Sequence, residues 1–441
     1  MEAPDTCKIQ VTRLEVRSLN SMIAEIMATG EEIRSGALID SNSAYIAEKL
    51  EEVGATVARH TCVGDDLGLL ISAFKEIGNR ADIAVVTGGL GPTSDDLSAQ
   101  AAAEAAGVSL VLNQSARQSL ENFFKARKRA INPASQKQAI LPEGAQCIAN
   151  PIGTAPGFRL EIGKCLFFFL PGVAGEMRRM LSDAVLPQLG RILGAKRNFF
   201  QVKTLSTFGL TESKTFELLA DIENTFPEIS LGLRIKFPEI QVKLYANGSH
   251  ERQLNDNLES AARWVIEKMG NKVFSQQGDS MEKIIGQLLL TKHATVALAE
   301  SCTGGLISHM LTNMPGSSDY FVFCGITYSN QAKIDILNVS AETIKNHGAV
   351  HEETAKEMAL GVRRISGATY GLATSGIAGP TGGTKDKPVG TVCIGLAAPH
   401  VAVGHRFHFW FGDRTLNKQV FAVAALDVLR RELLGIGPPQ F

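Results

Sequence analysis

The sequence has no surplus of charge of either sign: 44 Lys and Arg stand against 45 Asp and Glu, a formal net charge of −1. That balance gives no support for a nucleic-acid or membrane surface. No apolar run reaches the ~18 residues of a membrane span; the block Cys165 to Leu170 reads as a buried strand. The seven cysteines are scattered, with no C-x-x-C pair. This argues against a disulfide frame or a zinc site and fits a reducing, cytoplasmic setting. Neither a Walker A loop nor G-x-G-x-x-G is present. Residues 1–21 are polar and lack the apolar core of a secretory signal, so they read as a disordered extension.

What remains is the composition of a soluble globular protein, 44% hydrophobic and 20% charged over 441 residues. That length suggests two or three domains. From Ile23 onward strands and helices alternate: Ile23–Ala28, helix Ser43–Val53, Thr56–Val63, a helix after Asp65-Asp66, Ile83–Val86, then an Ala-rich helix from Leu97. This predicts a parallel α/β sheet with helices on both faces over 22–190. A small α+β insert is expected over 191–275, and a second α/β domain over 276–441. There the strands Ala294–Leu298, Tyr320–Tyr328, Tyr370–Thr374, Gly390–Leu396 and His405–Phe411 precede a closing helix to Leu434.

In the first domain the third strand runs into Thr87-Gly88-Gly89-Leu90-Gly91-Pro92-Thr93-Ser94-Asp95-Asp96. Ligands of open α/β sheets sit beyond such strand ends. Glycine N–H groups at Gly88, Gly89 and Gly91, with the Thr87 and Thr93 hydroxyls, suit a phosphate. Asp95, Asp96, Glu32 and Asp40 are candidate ligands for a divalent cation, Mg, Mn or Co. The plainer reading is that the aspartates cap helices.

The last domain turns on Ala299-Glu300-Ser301-Cys302-Thr303-Gly304-Gly305, a strand, a tight turn and a helix start. The N–H groups of that helix start suggest an oxyanion or phosphate pocket near Gly304. A second cluster follows, Thr327-Tyr328-Ser329-Asn330-Gln331-Ala332-Lys333. Neither cluster holds a histidine, so a serine there needs another base, and Lys333 is the candidate if burial lowers its pKa. Ser301 and Ser318 are rival nucleophiles. Tyr328 orients substrate or relays a proton, and Arg414 suits a phosphate. The plainer readings are that Ser301 caps its helix, Lys333 is solvated, Cys302 is a small buried apolar residue and Arg414 neutralises Asp413.

These blocks resemble the CinA family. In the carboxyl half they are Ala299–Gly305, Pro315-Gly316-Ser317-Ser318, Thr327-Tyr328-Ser329-Asn330-x-x-Lys333, His347-Gly348-Ala349-Val350, Ser375-Gly376-Ile377-Ala378-Gly379-Pro380, Lys387–Val392 and Gly412-Asp413-Arg414. In the front half Asp40-x-Asn42-Ser43, Val63-Gly64-Asp65-Asp66, Thr87–Asp96, Gly153–Phe158 and Pro171-Gly172-Val173 resemble a molybdopterin-binding fold. Glu31 and Ala174 stand where the family usually has Asp and Pro.

The resemblance implies a nicotinamide mononucleotide amidohydrolase in the last domain, working by serine and lysine without a cofactor. Ser318 would attack, with Ser301 as its close rival, and Thr303, Gly304, Gly305, Ser375, Gly376 and Arg414 would hold substrate. It implies a metal-dependent ADP-ribose pyrophosphatase in the front domain, a KH-like hinge between them, and a homodimer acting on small nucleotides. A competing expectation is a non-catalytic pterin- or nucleotide-binding partner in competence or repair. Nucleic-acid binding is disfavoured, because the insert lacks a G-x-x-G loop with basic neighbours.

Overall fold

A computed structural model describes residues 22–193, 199–248 and 250–439; the expected extension over 1–21 lies outside them. The chain divides into two compact units, one up to Gln201 with Asn247–Glu251, the other Val202–Ala246 with Arg252 to the end.

In the first unit the strands are β1 (Met22–Thr29), β2 (Ala55–Val63), β3 (Ile83–Thr87), β4 (Leu110–Leu112), β5 (Ile140–Pro142), β6 (Gln146–Ile148), β7 (Gly157–Ile162) and β8 (Cys165–Leu170). Six form one sheet in the order β2-β1-β3-β8-β7-β6. The first four are parallel, as expected, and β7 and β6 are antiparallel additions. Period-two alternation sorts the side chains onto two cores. Met27, Val86, Phe167 and Phe169 face Phe74 on one side; Ile26, Val85, Phe168 and Leu170 face Ile46, Met177 and Met180 on the other. Both faces are covered, which is why β8 reads as an unbroken apolar run. Phe74 meets Phe167 and Phe169 edge-on, with centroids 5.8 and 5.3 Å apart.

The second unit contains two sheets. β9 (Phe199–Thr207), β10 (Ile229–Lys236), β11 (Glu239–Gly248) and β12 (Val273–Ser275) form one, ordered β10-β11-β9-β12. β13 (Val296–Glu300), β14 (Phe321–Ile326), β15 (Tyr370–Gly376), β16 (Thr391–Ala397) and β17 (Ala402–His408) form the other, ordered β14-β13-β15-β16-β17. The last strand lies three residues earlier than the sequence suggested, because Phe409 and Phe411 pack on the core beyond it. The insert shares this unit's interior: Phe208 and Phe274 belong to the core built around the closing helix Arg414–Leu434, and Phe237 meets Phe411 edge-on at 4.8 Å. No described helix is long and apolar enough to cross a membrane.

The helix Glu352–Ser366 lies directly on β15, β16 and β17 because three glycines leave it room. A Cβ on Gly371, Gly395 or Gly404 would strike the carbonyl oxygen of Ala359, Ala355 or Glu352 respectively. Gly395→Ala should therefore cost about 1–3 kcal/mol by overpacking, read as a lowered denaturant midpoint; an unchanged midpoint contradicts this close packing. Glu239 gives a second expectation. It is 4% exposed. One carboxyl oxygen accepts from Met281 N at 3.2 Å and the other is buried without a partner. Burial pushes its pKa up to about 7. A raised folded pKa means this group's stabilisation is complete below about pH 4.5 and is lost as pH rises through 7. Glu239→Gln should remove up to about 3 kcal/mol of that pH dependence, measured as denaturant unfolding from pH 4.5 to 8.

Candidate active site

The carboxyl ends of β13 and β15 carry the pivotal turn. Ser301 follows β13 directly, and its N–H donates to Thr374 O at 3.1 Å, so the neighbouring strand fixes it. The turn closes with Gly304 N donating to Ser301 O and with left-handed φ values of 62° at Gly304 and 92° at Gly305. The short helix Leu306–Thr312 follows.

Its amides are already taken. Glu300 is 1% exposed; its carboxylate accepts from Gly305 N at 2.8 Å, Ile307 N at 3.3 Å and Ser308 N at 2.8 Å. The expectation that Gly304 and Gly305 offer amides to a ligand is therefore corrected: a carboxylate from within the chain occupies this helix start. Sequence reading missed Glu300, although an acid just before a helix start was the available signal. Ser301 is correspondingly not the cap. Thr303 is corrected as well, since its hydroxyl is fully buried against Thr374 Oγ1 at 2.8 Å.

Lys333 sits on a helix, Asn330–Leu337, that the periodicity did not reveal. Ser329 caps it by accepting from Ala332 N at 3.1 Å. The lysine is 1% exposed, not solvated. Its Nζ lies 2.8 Å from Thr327 O, 3.1 Å from Tyr328 O and 3.2 Å from Ser301 Oγ. No carboxylate pairs with it among the described residues. Burial lowers its pKa below the ordinary lysine value, with the Cys302 thiol a smaller opposing influence. A neutral amine has two hydrogens and one lone pair. Two carbonyls and one hydroxyl surround the Nζ; deprotonated, it would give its hydrogens to the carbonyls and turn its lone pair to the Ser301 hydroxyl.

Ser318 is not brought to Lys333. It is exposed in the turn Ser317–Asp319 that enters β14, whereas Ser301 leaves β13. The two strands run parallel, Val296 opposite Phe321 and Glu300 opposite Ile326. The two serines thus lie at opposite sheet ends, roughly 15 Å apart at the strand rise. Cys302 is fully buried and its thiol is pushed up to about 12, so a thiolate is ruled out near neutrality.

Tyr328 meets Lys333 through its carbonyl; its ring is 61% exposed and its hydroxyl accepts from Arg414 Nη2 at 3.1 Å. Arg414 also donates to Gly379 O at 2.6 Å. It makes no ion pair with Asp413, which instead caps the closing helix through Leu416 N at 2.9 Å. Ser375 is 1% exposed and donates to Ala349 O at 2.7 Å. Gly376 is packed close to Thr391 O and Cys302 Sγ. Both hold the loop rather than face a ligand, which corrects their expected role.

In the first unit the loops after β1 and β3 line a cavity of about 690 Å³. Gly88, Gly89, Gly91, Thr87, Glu32, Asp40, Asp95 and Asp96 all border it; Thr93 does not. Much of the expected ligand chemistry is already engaged. Gly88 N donates to Leu170 O, and Thr87 Oγ1 donates to Pro171 O at 3.1 Å. Asp40 caps the helix Ser41–Glu52 through Ser43 N, and Asp96 accepts from Thr93 N at 2.8 Å. Two further acids on the wall were missed, Asp65 and Glu176. Burial raises the Asp65 pKa, and Glu32, Asp95 and Asp96 add to the rise. Its signal was the Gly-Asp-Asp run, in which Asp66 does the capping through Leu69 N at 2.9 Å. The wall holds six carboxylates and no Lys, Arg or His. The charge suits a cation, yet among the described residues no three donors gather at one point. A ready-made metal site of Asp95, Asp96, Glu32 and Asp40 is not what the chain provides.

Comparison with known proteins agrees with this two-part layout. A family model for the CinA C-terminal domain matches residues 278–433, and one for a probable molybdopterin binding domain matches 25–191. A CinA-like protein of Desulfosudis oleivorans is 53% identical over 413 residues, covering 94% of this chain and all of that protein. Another, of Desulforapulum autotrophicum, is 46% identical over 417 residues, 94% of this chain and 99% of that one. The crystal structure of a competence/damage inducible protein of Agrobacterium tumefaciens is 36% identical, covers 34% of this chain and 94% of its own, and has a TM-score of 0.33. The chain belongs to the CinA-like proteins.

Proposed function

We propose that the second unit is a serine amidohydrolase that converts nicotinamide mononucleotide and water to nicotinate mononucleotide and ammonia. The observation that carries this reading is the buried Lys333 amine, 3.2 Å from Ser301 Oγ with no acid to hold its charge. Ser301 Oγ attacks the carboxamide carbon while its proton passes to Lys333 Nζ. The protonated lysine then gives that proton to the departing nitrogen, and ammonia leaves an acyl-serine. Water repeats the attack with Lys333 again as base, releasing the carboxylate and restoring the Ser301 hydroxyl. Glu300 holds the amides at Gly305, Ile307 and Ser308, so the donors for a developing oxyanion have to come from outside that helix start. The Tyr328 hydroxyl accepts from the Arg414 guanidinium.

For the first unit we propose a coarser role: a cavity for a nucleotide-type ligand whose phosphates enter with a divalent cation. A wall of six acids without a base repels a bare phosphate. Asp40 caps its helix and Asp96 is engaged by Thr93 N, which favours binding over pyrophosphate turnover.

Ammonia release from nicotinamide mononucleotide should proceed without added metal and fall about a thousandfold in Ser301→Ala and in Lys333→Ala. Ser318→Ala should match the parent; a loss there returns the nucleophile to the other end of the sheet. Because burial lowers the Lys333 pKa and the neutral amine is the active form, kcat/KM should rise with pH through that value, below the ~10.4 of a free lysine. Lys333→Arg keeps a charge that is never lost in this range and should be inactive at every pH. In the first unit, ADP-ribose with Mg, Mn or Co should bind more weakly to Asp65→Asn, read by calorimetry. Unchanged affinity moves the ligand away from this wall.

A further inference from the structure

Residues 409–413 join β17 to the closing helix without helix or strand of their own. Phe409 N donates to Gly390 O at 2.9 Å, which fixes the start of the segment. Trp410 is 68% exposed, and nothing lies within 4 Å of the point a Cβ on Gly412 would occupy. Phe411, between them, is the anchor. It packs on the core, and its ring meets that of Phe237 edge-on, with the planes at 83°.

Phe237 comes from the insert. It lies in the turn between β10 and β11, just past the register pair Lys236 and Glu239. That turn is braced from two sides. Glu239 accepts from Met281 N at the start of the helix Met281–Thr291, and Thr207 Oγ1 donates to Ile240 O at 2.8 Å. A held hairpin, not a free loop, therefore presents the Phe237 ring.

From Phe411 the order passes along the backbone toward the candidate site. The Phe411 carbonyl accepts from Asp413 N. Asp413 caps the closing helix through Leu416 N, and its carbonyl accepts from Asn417 N at 3.0 Å. Arg414 follows at once, donating to Gly379 O and to the Tyr328 hydroxyl. Ser301 and Lys333 are fixed elsewhere, the first by Thr374 O and the second by the helix Asn330–Leu337.

We propose that Phe237 is a positioning residue for the amidase site: the insert's hairpin sets the segment 409–413, and through it the Arg414–Tyr328 contact. The insert is thus a working part of the site and not a spacer. Losing the ring loosens the hold on substrate and leaves the Ser301–Lys333 chemistry intact. The effect on turnover rests on the amidase reading above; the grip of Phe237 on the segment does not.

The test compares the full-length wild type with Phe237→Ala, Phe237→Leu and Phe237→Tyr, by amide hydrogen exchange and by ammonia release from nicotinamide mononucleotide. In Phe237→Ala the peptide covering residues 409–416 should exchange about fivefold faster, while the peptide covering β13 keeps the wild-type rate. KM should rise about fivefold, with kcat within about twofold and its pH profile unchanged. Phe237→Leu, which keeps most of the volume, should move the same quantities in the same directions by less. Phe237→Tyr keeps the ring and should match the wild type in both readouts. Phe411→Ala should raise KM as Phe237→Ala does, and combining the two should add nothing, because they remove one contact. Unchanged exchange over 409–416 overturns the proposal, and so does an unchanged KM or a loss confined to kcat. Faster exchange that includes β13 makes Phe237 a general packing residue and overturns it as well. Exchange needs no substrate. Should the wild type release no ammonia, the amidase reading falls, while the exchange pattern across the three variants still decides whether the insert holds this segment.

Discussion

The placement of one amine at the end of a strand governs the rest of this site. Burying a lysine is costly as an ammonium and far less so as an amine. Lys333 is held to that choice by rigid backbone on both sides. Its own N–H donates to Ser329 O and its carbonyl accepts from Val339 N, so the helix that carries it is fixed at both ends. The carbonyls it meets belong to Thr327 and Tyr328, where the chain leaves β14. Ser301 is fixed from β13, the neighbouring strand. Ser301 and Lys333 therefore meet at the ends of adjacent parallel strands, and the sheet sets their separation.

Charge in the two units is arranged in opposite ways, which the overall balance of −1 conceals. In the first unit six acids line one cavity without a base. In the second, the only carboxylate in the pivotal turn, Glu300, is bound by three amides, and the cations at Arg414 and Lys418 are left unpaired by acids. A helix start that carries its own carboxylate cannot also welcome a substrate anion. The cations left unpaired by acids stand instead on a different helix, the closing one.

The sequence made the layering legible where burial leaves a period. Ile46 and Leu50 mark one helix face, and the apolar block through Phe167, Phe168 and Phe169 announces a strand covered on both sides. The two motif turns could likewise be placed at strand ends. Three things could not be read. The helix Asn330–Leu337 is short and only weakly amphipathic, so nothing in its residues said that Lys333 is buried. The choice between Ser301 and Ser318 required knowing that β13 and β14 run parallel, because only then do the two serines fall at opposite ends. The contacts of Thr303, Ser375 and Gly376 could not be read for a related reason: a hydroxyl or glycine inside a motif looks the same whether it meets a ligand or the next strand.

The neighbouring Cys302 shows why we propose the serine, the weaker nucleophile, as the reacting group. Ser301 points its hydroxyl at the Lys333 amine, whereas the Cys302 sulfur lies against Gly376 and near Thr391 O, within the core built on the closing helix. In that apolar setting its thiol is pushed up to about 12, and the sulfur behaves as a packing group. A thiol is the better intrinsic nucleophile only when it ionises. In the proposed reaction the Ser301 hydroxyl needs no ionisation beforehand, because its proton moves to the amine, whose pKa burial lowers, as the bond forms. The turn after β13, in which both residues lie, sets the Ser301 hydroxyl on Lys333 and the Cys302 sulfur in the core.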